Sequence, residues 1–381
     1  MKKGMREKLF KFFNDHMHTF SHLFPRSQHV WVFIGWHVGH DMEIFADNSK
    51  YLFLHTAHNH PEIKAVWLAK DRRFAVLLRS RGYISYYQHS VLGIWYALRA
   101  GTTIIDAYLQ PENFRFAGKT RLVQLLHGKG MKKGGYTQTP LCRQDYIFSP
   151  SPFVSEMLPA TFVQHSPIII SGYPRTDMFF KNIADSDIGV HEPTKMLLEN
   201  SPYKKRFLYA PTFRRGEKVL DIETILNLSL LSSWLSTREY LLVLSLHPKY
   251  RDQARNVSYP NVHFVEDSDV SPILHFFDVL ITDYSSIFTD FLLLDKPIIF
   301  YPYDLEEYKK KEGLSFDNYD EFTPGPKVYT QETLRGAIEK VCIKDKYSVD
   351  RKRVRTLYHA YQDGRSCERV MKSLALEKSG S

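Results

Sequence analysis

Residues 278–303 read Asp-Val-Leu-Ile-Thr-Asp-Tyr-Ser-Ser-Ile-Phe-Thr-Asp-Phe-Leu-Leu-Leu-Asp-Lys-Pro-Ile-Ile-Phe-Tyr-Pro-Tyr, and their periodicity decides the fold class. Val279 to Thr282 has the composition of a short buried strand. Ser285 to Leu294 places Ile287, Phe288, Phe291 and Leu294 at the spacing of a helix packed on one face, and Pro297 to Tyr301 is a second strand. Two apolar strands joined by one helix form a parallel βαβ unit, because a connection of this length does not close a hairpin. The polar residues Asp283, Tyr284, Ser285 and Ser286 then collect at the carboxyl edge of the first strand, where open α/β sheets bind ligands. They run into a helix N-terminus, whose unpaired N–H groups and partial positive charge suit a phosphate. Asp290 lies one turn deeper. The same serines equally suit an ordinary N-cap, and the pattern alone leaves both readings open.

Outward from this unit the alternation continues. In the second half, strands are expected at Arg206–Tyr209, Tyr240–Leu246 and Val262–Val265. In the first half they are expected at Val30–Ile34, Ala65–Leu68, Tyr83–Tyr86, Thr103–Asp106, Leu122–Leu126, Tyr146–Phe148 and Pro167–Ser171, with helices between. This is a parallel α/β pattern. A chain of 381 residues suits two domains, and charge, Asn, Pro and Ser accumulate between Phe179 and Lys205. The expected division is 1–26 as a basic helix, 27–190 as an N-terminal Rossmann-like domain and 191–381 as a C-terminal one with closing helices.

Apolar residues at 43% and charged residues at 24% are globular values, so disorder is excluded. The formal net charge of +9 points to an anionic partner: a phosphate-rich substrate, nucleic acid or an anionic membrane surface. Cys142, Cys342 and Cys367 are too dispersed for a zinc site or a disulfide framework, which suits a reducing cytoplasm. No apolar run approaches the roughly 20 residues of a membrane span, and the N-terminus lacks the order of a signal peptide. Leu9, Phe13, Met17, Phe20 and Phe24 instead form one helical stripe among Lys2, Lys3, Arg6, Lys8 and Lys11, with Pro25 as the expected end. Such a helix either lies in a membrane interface or docks on its own domain.

Several polar residues mark candidate chemistry. His127 follows an expected strand and opens His127-Gly128-Lys129-Gly130-Met131-Lys132-Lys133. A histidine beside a flexible glycine loop and three lysines is where a base would meet an anionic substrate, and a hydrogen-bonded loop histidine is the plainer alternative. The loop lacks the Gly-Lys-Ser/Thr order of a Walker A motif. His247 holds a comparable strand-end position in the second half. Arg175, in Gly172-Tyr173-Pro174-Arg175-Thr176-Asp177, offers paired donors to a phosphate or pairs with Asp177 on the surface. His37 and His40 lack a third ligand at metal spacing. The cluster Lys344, Lys346, Arg351, Lys352, Arg353 and Arg355 reads as a solvated helix face or as an addition to membrane attraction.

The run Ile281–Phe291 with Leu294–Tyr308 resembles the signature of the CDP-glycerol glycerophosphotransferase family, whose members build teichoic acids and related capsule polymers of the cell wall. Further blocks similar to that family occur in order: Val30–His40, Asp47–Phe53, His89–Gly101, His127-Gly128 with its lysine pair, Gly172–Asp177, Ala210–Arg215, His247-Pro248-Lys249, Gly313–Pro326 and Asp363–Arg369. Trp36, His40, Leu126 and Met131 depart from the family's more frequent residues. The resemblance implies a GT-B-like fold, two Rossmann-like domains facing across a cleft, with the N-terminal amphipathic helix added. It implies transfer of glycerol phosphate, or a related polyol phosphate, from CDP-glycerol to a lipid-linked acceptor on the cytoplasmic face of the membrane, releasing CMP. His127 and His247 are the implied catalytic residues. Arg175, Arg214, Thr282, Asp283, Ser285, Ser286 and Asp290 are implied donor-binding residues, and Gly128, Lys129, Lys132 and Lys133 acceptor-side candidates. No metal, cofactor or nucleic acid is expected beyond the donor itself. A GT-B glycosyltransferase or epimerase using a UDP-sugar is the rival enzyme, and a basic lipid- or nucleic-acid-binding protein the non-enzymatic rival.

Overall fold

Among the described residues, twelve parallel strands build two sheets with the same winding. The first contains β1 (Ser27–Ile34), β2 (Lys64–Ala69), β3 (Ser85–Tyr87), β4 (Ala100–Ile105), β5 (Arg121–Gln124), β6 (Tyr146–Ser149) and β7 (Ile168–Ile170) in the order β3-β2-β1-β4-β5-β6-β7. The second contains β8 (Lys205–Ala210), β9 (Tyr240–Leu244), β10 (Val262–Phe264), β11 (Val279–Thr282) and β12 (Ile298–Phe300) in the order β10-β9-β8-β11-β12. In each the order reverses beside the first strand, between β1 and β4 and between β8 and β11, which creates a crevice at the carboxyl ends. The register Ala210↔Thr282 brings the two strand ends of the second crevice level. Strand interiors such as Val32, Val66, Leu208, Val243 and Leu280 are buried, as both-sided cover by helices requires.

This computed structural model describes residues 3–375 except 36, 39–41, 135, 137, 217–219, 248–249, 251–257 and 267, and the side chains of 3–10, 37–38 and 42–43 also lie outside the description. The readings of His37 as a loop polar group and of His40, Pro248 and Lys249 fall there. Two compact units result: residues 1–127, 136–186 and 363–381 in the first, and 128–135 with 187–362 in the second. The chain changes unit between residues 186 and 187. Two segments, however, belong with the opposite half from the one expected.

The closing helix Ser366–Ala375 packs in the first unit because Asp177 accepts the Ser366 and Cys367 N–H groups at 2.8 and 2.9 Å, serving as a remote cap. Gly172, at φ +85°, is required there, since a Cβ would lie 2.4 Å from Ser366 Oγ. The expected pair between Arg175 and Asp177 is therefore replaced by a cap on one side and, on the other, an ion pair of Arg175 with Asp47 at 3.2 Å.

The N-terminal helix spans Lys3–Ser21 and ends four residues before Pro25, in a turn closed by His22 N–H on Thr19 O and Phe24 N–H on Ser21 O. Its docked side carries Asn14, His18 and Ser21: His18 stacks on Phe114 at 4.0 Å and Ser21 Oγ accepts the Gly118 N–H at 2.9 Å. Phe12, Phe13, Phe20 and Leu23 are exposed. Docking thus uses polar residues, while aromatic rings expected to form one stripe face solvent.

Within the signature unit, the helix runs Ile287–Phe291 and tightens to a 3₁₀ turn, Leu292–Leu294, shorter than the expected Ser285–Leu294. Asp295 at φ +50° and Pro297 close it. Arg351, expected on a solvated face, is buried: it pairs with Asp345 at 2.5 Å and donates to Asp295 O at 3.2 Å. Arg355 donates to Leu292 O at 3.4 Å, so two cations sit at the negative end of that helix.

Candidate active site

The second unit assembles its polar residues on the loops that leave the carboxyl ends of β8, β9, β11 and β12. Across the crevice, Asp283 Oδ1 accepts the Thr212 N–H at 2.8 Å and the Thr212 hydroxyl at 2.6 Å, and Tyr319 donates to Asp283 O at 2.8 Å. Thr282 donates its own hydroxyl to Ala210 O at 2.7 Å. These bonds fix the loop ends; neither Thr282 nor Asp283 presents a phosphate-binding donor through its side chain.

Arg214 is held within the same framework. Its guanidinium meets Asp283 at 2.8 Å, makes paired bonds to Asp304 at 2.7 and 3.0 Å, and donates to Thr212 O at 2.6 Å. Tyr284, Tyr303 and Tyr308 surround it, each ring centroid within 5.4 Å. Burial pulls its pKa down, yet Asp283 and the Asp304 hydrogen bond outweigh that effect and raise it. Arg214 is a fixed counter-charge that sets the loop's shape. Asp304, which lies inside the quoted signature and was passed over, is its principal partner.

Ser285 and Ser286 emerge from this frame half-buried, and Ser286 occupies the N-cap position without a side-chain capping bond. Asp290 is buried in the helix behind them. His247 is half-buried on the loop after β9 and packs against Phe213, with ring centroids 4.6 Å apart.

The loop that follows His127 belongs to this unit. Gly130 lies so close to the serine turn that a Cβ there would be 2.8 Å from Ser286 Cα and 2.9 Å from Ser286 N. Lys133 N–H donates to Gly313 O at 3.2 Å and Ser315 N–H to Met131 O at 2.7 Å, which pairs the loop with another block singled out in the sequence. Lys129 is buried and closes the loop by donating to the carbonyls of Lys132, Lys133 and Gly134 at 2.7, 3.1 and 3.3 Å. Burial and neighbouring Lys132 lower its pKa to about 8. Lys132 pairs with Glu312 at 3.5 Å. Expected on the acceptor side, Gly128, Lys129, Lys132 and Lys133 thus fall in the unit that carries Ser285 and Ser286.

In the first unit, His127 is half-buried beyond the end of β5, after Leu126 at φ +61°. Asn48 sustains that turn by donating to Leu126 O at 2.8 Å, and accepts the Arg175 N–H at 3.1 Å. His127 Nδ1 lies 3.2 Å from Asp106 O and 3.2 Å from the Tyr136 hydroxyl, which also accepts the His127 N–H at 2.9 Å. Asp106 stands at the β4 side of this unit's crevice, fully buried, with Oδ1 accepting the Ser49 N–H at 2.8 Å. Burial, then the nearby Asp47 charge, raise its pKa well above the carboxylate range and keep it neutral. The Arg175 guanidinium is buried over Tyr173, 4.5 Å from the ring centroid, and paired with Asp47. Asp106 and Tyr136 carried no functional marker in the sequence, and Asn48 only its place in the block Asp47–Phe53, because each acquires its role from a contact distant along the chain.

Among the described residues no group of three or more His, Cys, Asp or Glu is placed to hold a metal ion, and no helix is long and apolar enough to cross a membrane.

Two doubly wound parallel sheets, each with a crevice at its switch point, define an α/β fold class, and comparison supplies the family. Residues 17–376 match the CDP-glycerol:poly(glycerophosphate) glycerophosphotransferase family, and the chain belongs to it. It is an enzyme of that family, a glycerophosphotransferase. It is 25% identical over 352 residues to the teichoic acid poly(glycerol phosphate) polymerase of Bacillus spizizenii, covering 84% of this chain and 85% of the relative. It is 29% identical over 317 residues to the teichoic acid ribitol-phosphate primase of the same organism, covering 76% and 78%. The fold is close to that of the wall teichoic acid polymerase TagF, at a TM-score of 0.77 and 20% identity over 99% of this chain and 98% of that one.

Proposed function

We propose that the chain transfers a polyol phosphate, glycerol phosphate foremost, from its CDP-activated form to a hydroxyl of a lipid-linked acceptor in teichoic acid synthesis, releasing CMP. The acceptor oxygen attacks the β-phosphorus as the bond to the bridging oxygen of CMP breaks, and His127 takes the hydroxyl proton. Ser285, Ser286 and the adjoining amides hold the diphosphate, with His247 beside it offsetting charge on the phosphoryl oxygens. Arg214, Thr282 and Asp283 position that turn, and Asp290 supports it from the helix. Arg175 shapes the His127 loop through Asp47 and Asn48.

The observation that carries this reading is the close approach of Gly130 to Ser286, which ties the glycine-lysine loop to the serine turn. Two motifs more than 150 residues apart share one sheet edge. Such convergence suits a diphosphate substrate and exceeds what an N-cap requires.

Incubating purified protein with CDP-glycerol, CDP-ribitol and UDP-sugars, with and without a lipid-linked acceptor, tests the donor. Acceptor-dependent CMP release is expected from a CDP-polyol alone; UMP or UDP release without CMP would establish the UDP-sugar reading instead.

Peripheral attachment to the inner membrane face belongs to the same proposal. Phe12, Phe20 and Leu23 are exposed, as are Val91 and Trp95 of the helix Val91–Arg99, and the two segments are joined by Arg26 to Ala97 O at 2.7 Å and Arg99 to Pro25 O at 2.6 Å. With a net charge of +9, this patch suits an anionic bilayer. Flotation with anionic liposomes should weaken on deleting residues 1–26; unchanged binding would remove the helix from this role.

A further inference from the structure

We propose that Tyr136 is the positioning residue that holds the His127 ring against the Asp106 carbonyl, the contact that selects the tautomer able to accept a proton at Nε2, an inference that rests on the assignment of His127 as the base. Asp106 contributes only a carbonyl oxygen to Nδ1, at 3.2 Å, and a carbonyl accepts but never donates. With Nδ1 protonated, that carbonyl and the Tyr136 hydroxyl at 3.2 Å both face a donor. With Nδ1 unprotonated, Tyr136 would donate to it, but the carbonyl oxygen would face a lone pair across the same distance. The first state therefore prevails, and the lone pair resides on Nε2.

Tyr136 also fixes where the ring sits. Its hydroxyl accepts the His127 main-chain N–H at 2.9 Å, so a single oxygen meets both the backbone and the ring of the same residue. The two rings pack at 4.9 Å, and Phe162 supports Tyr136 from behind at 4.7 Å. Tyr136 is buried, which keeps its hydroxyl neutral through the working pH range. When His127 becomes imidazolium, Nδ1–H still donates to both oxygens, so the pair supports the charge as it forms.

Histidine-selective ¹⁵N NMR of the full chain, with the His127 resonances identified by their loss in His127→Asn, reads the tautomer without turnover. The expected result is an Nδ1-protonated His127 in the wild type and a mixture in Tyr136→Phe. In CMP-release assays Tyr136→Phe should lower kcat about 10- to 100-fold with the donor KM within about twofold, the signature of a base held less well. The acid limb of its pH profile should move about half a unit downward, since one acceptor for the imidazolium is lost. An Nε2-protonated His127 in the wild type overturns the proposal whatever the variant does. A Tyr136→Phe protein with wild-type kcat and an unchanged tautomer also overturns it. Loss of the assignment of His127 as base has a different signature: His127→Asn would then retain CMP release while the tautomer remained as described.

Discussion

The two crevices are wound alike and furnished differently. Each strand that follows the reversal of order ends in an aspartate, Asp106 after β4 and Asp283 after β11. Asp283 is bonded into a frame with Thr212 and Arg214, and Arg214 is shared with Asp304. Among the described residues Asp106 has no cation in hydrogen-bond contact, burial and the Asp47 charge raise its pKa, and its main-chain oxygen faces His127 Nδ1. One edge is a rigid charged scaffold that presents hydroxyls. The other presents an imidazole whose Nδ1 lies 3.2 Å from both a main-chain carbonyl and a buried tyrosine hydroxyl. Identical topology places ligands at the same edge, but the loop residues decide whether that edge suits a phosphate or a proton.

The largest effect should come from the proton side. His127→Asn keeps a polar side chain yet removes the base, and CMP release should fall about 10²–10⁴-fold, the range for general base catalysis. The circular dichroism spectrum and melting temperature should stay near wild type.

Next in size is a stability effect confined to the scaffold. Arg214→Ala leaves Asp283 and Asp304 buried without their counter-charge and should cost the second unit about 3–5 kcal/mol, as broken buried pairs do. Urea denaturation should show that unit melting early, and a wild-type curve would deny the scaffold role. The resemblance implies a donor-binding role for Arg214, and nothing local in the sequence signals this scaffold. A turn of the form Pro-Thr-Phe-Arg-Arg does not reveal that Asp283 and Asp304, far along the chain, enclose its guanidinium.

The same limit explains the other departures. Strands were legible because runs such as Val30–Ile34 and Tyr240–Leu244 are apolar on both faces, and the βαβ signature carried its own fold. Their ends were less so: Leu126 reads as strand by composition but turns at φ +61° once Asn48 holds its carbonyl. The allegiance of residues 128–135 depends on Gly130 meeting Ser286, a contact no local pattern encodes. Arg351 read as a solvated cation because Asp295 and Asp345 meet it only in the fold. Ser285, Ser286, His127 and His247 were legible as polar residues that follow strands, whereas Tyr136 had no signal of its own and Asn48 only its place in the block Asp47–Phe53.

A smaller effect addresses the serine turn. Replacing Ser285 and Ser286 by Ala should raise the donor KM about tenfold or more, from loss of charge-assisted bonds worth roughly 1.5–3 kcal/mol. Gly130→Ala should act in the same direction by pressing on Ser286. A donor KM unchanged in both proteins would detach the turn from the donor.

The smallest effect probes the neutral aspartate. A carboxyl with a folded pKa above its unfolded value of about 3.9 binds more protons when folded, so stability falls as pH rises through that window. Asp106→Asn retains the acceptor for Ser49 N–H and removes the titration. Between pH 5 and pH 8 the wild type should lose about 2–4 °C of melting temperature relative to the variant, and parallel profiles would show Asp106 to be ionised.

The account turns on a division of labour: one edge holds the activated donor, the other removes a proton. Calorimetric titration of CDP-glycerol into wild type, His127→Asn and the Ser285→Ala/Ser286→Ala double variant, paired with CMP release from each, tests it most directly. His127→Asn should bind the donor as tightly as wild type while releasing almost no CMP, and the serine variant should lose affinity. Equal loss of donor affinity in both, or wild-type turnover in His127→Asn, would contradict it.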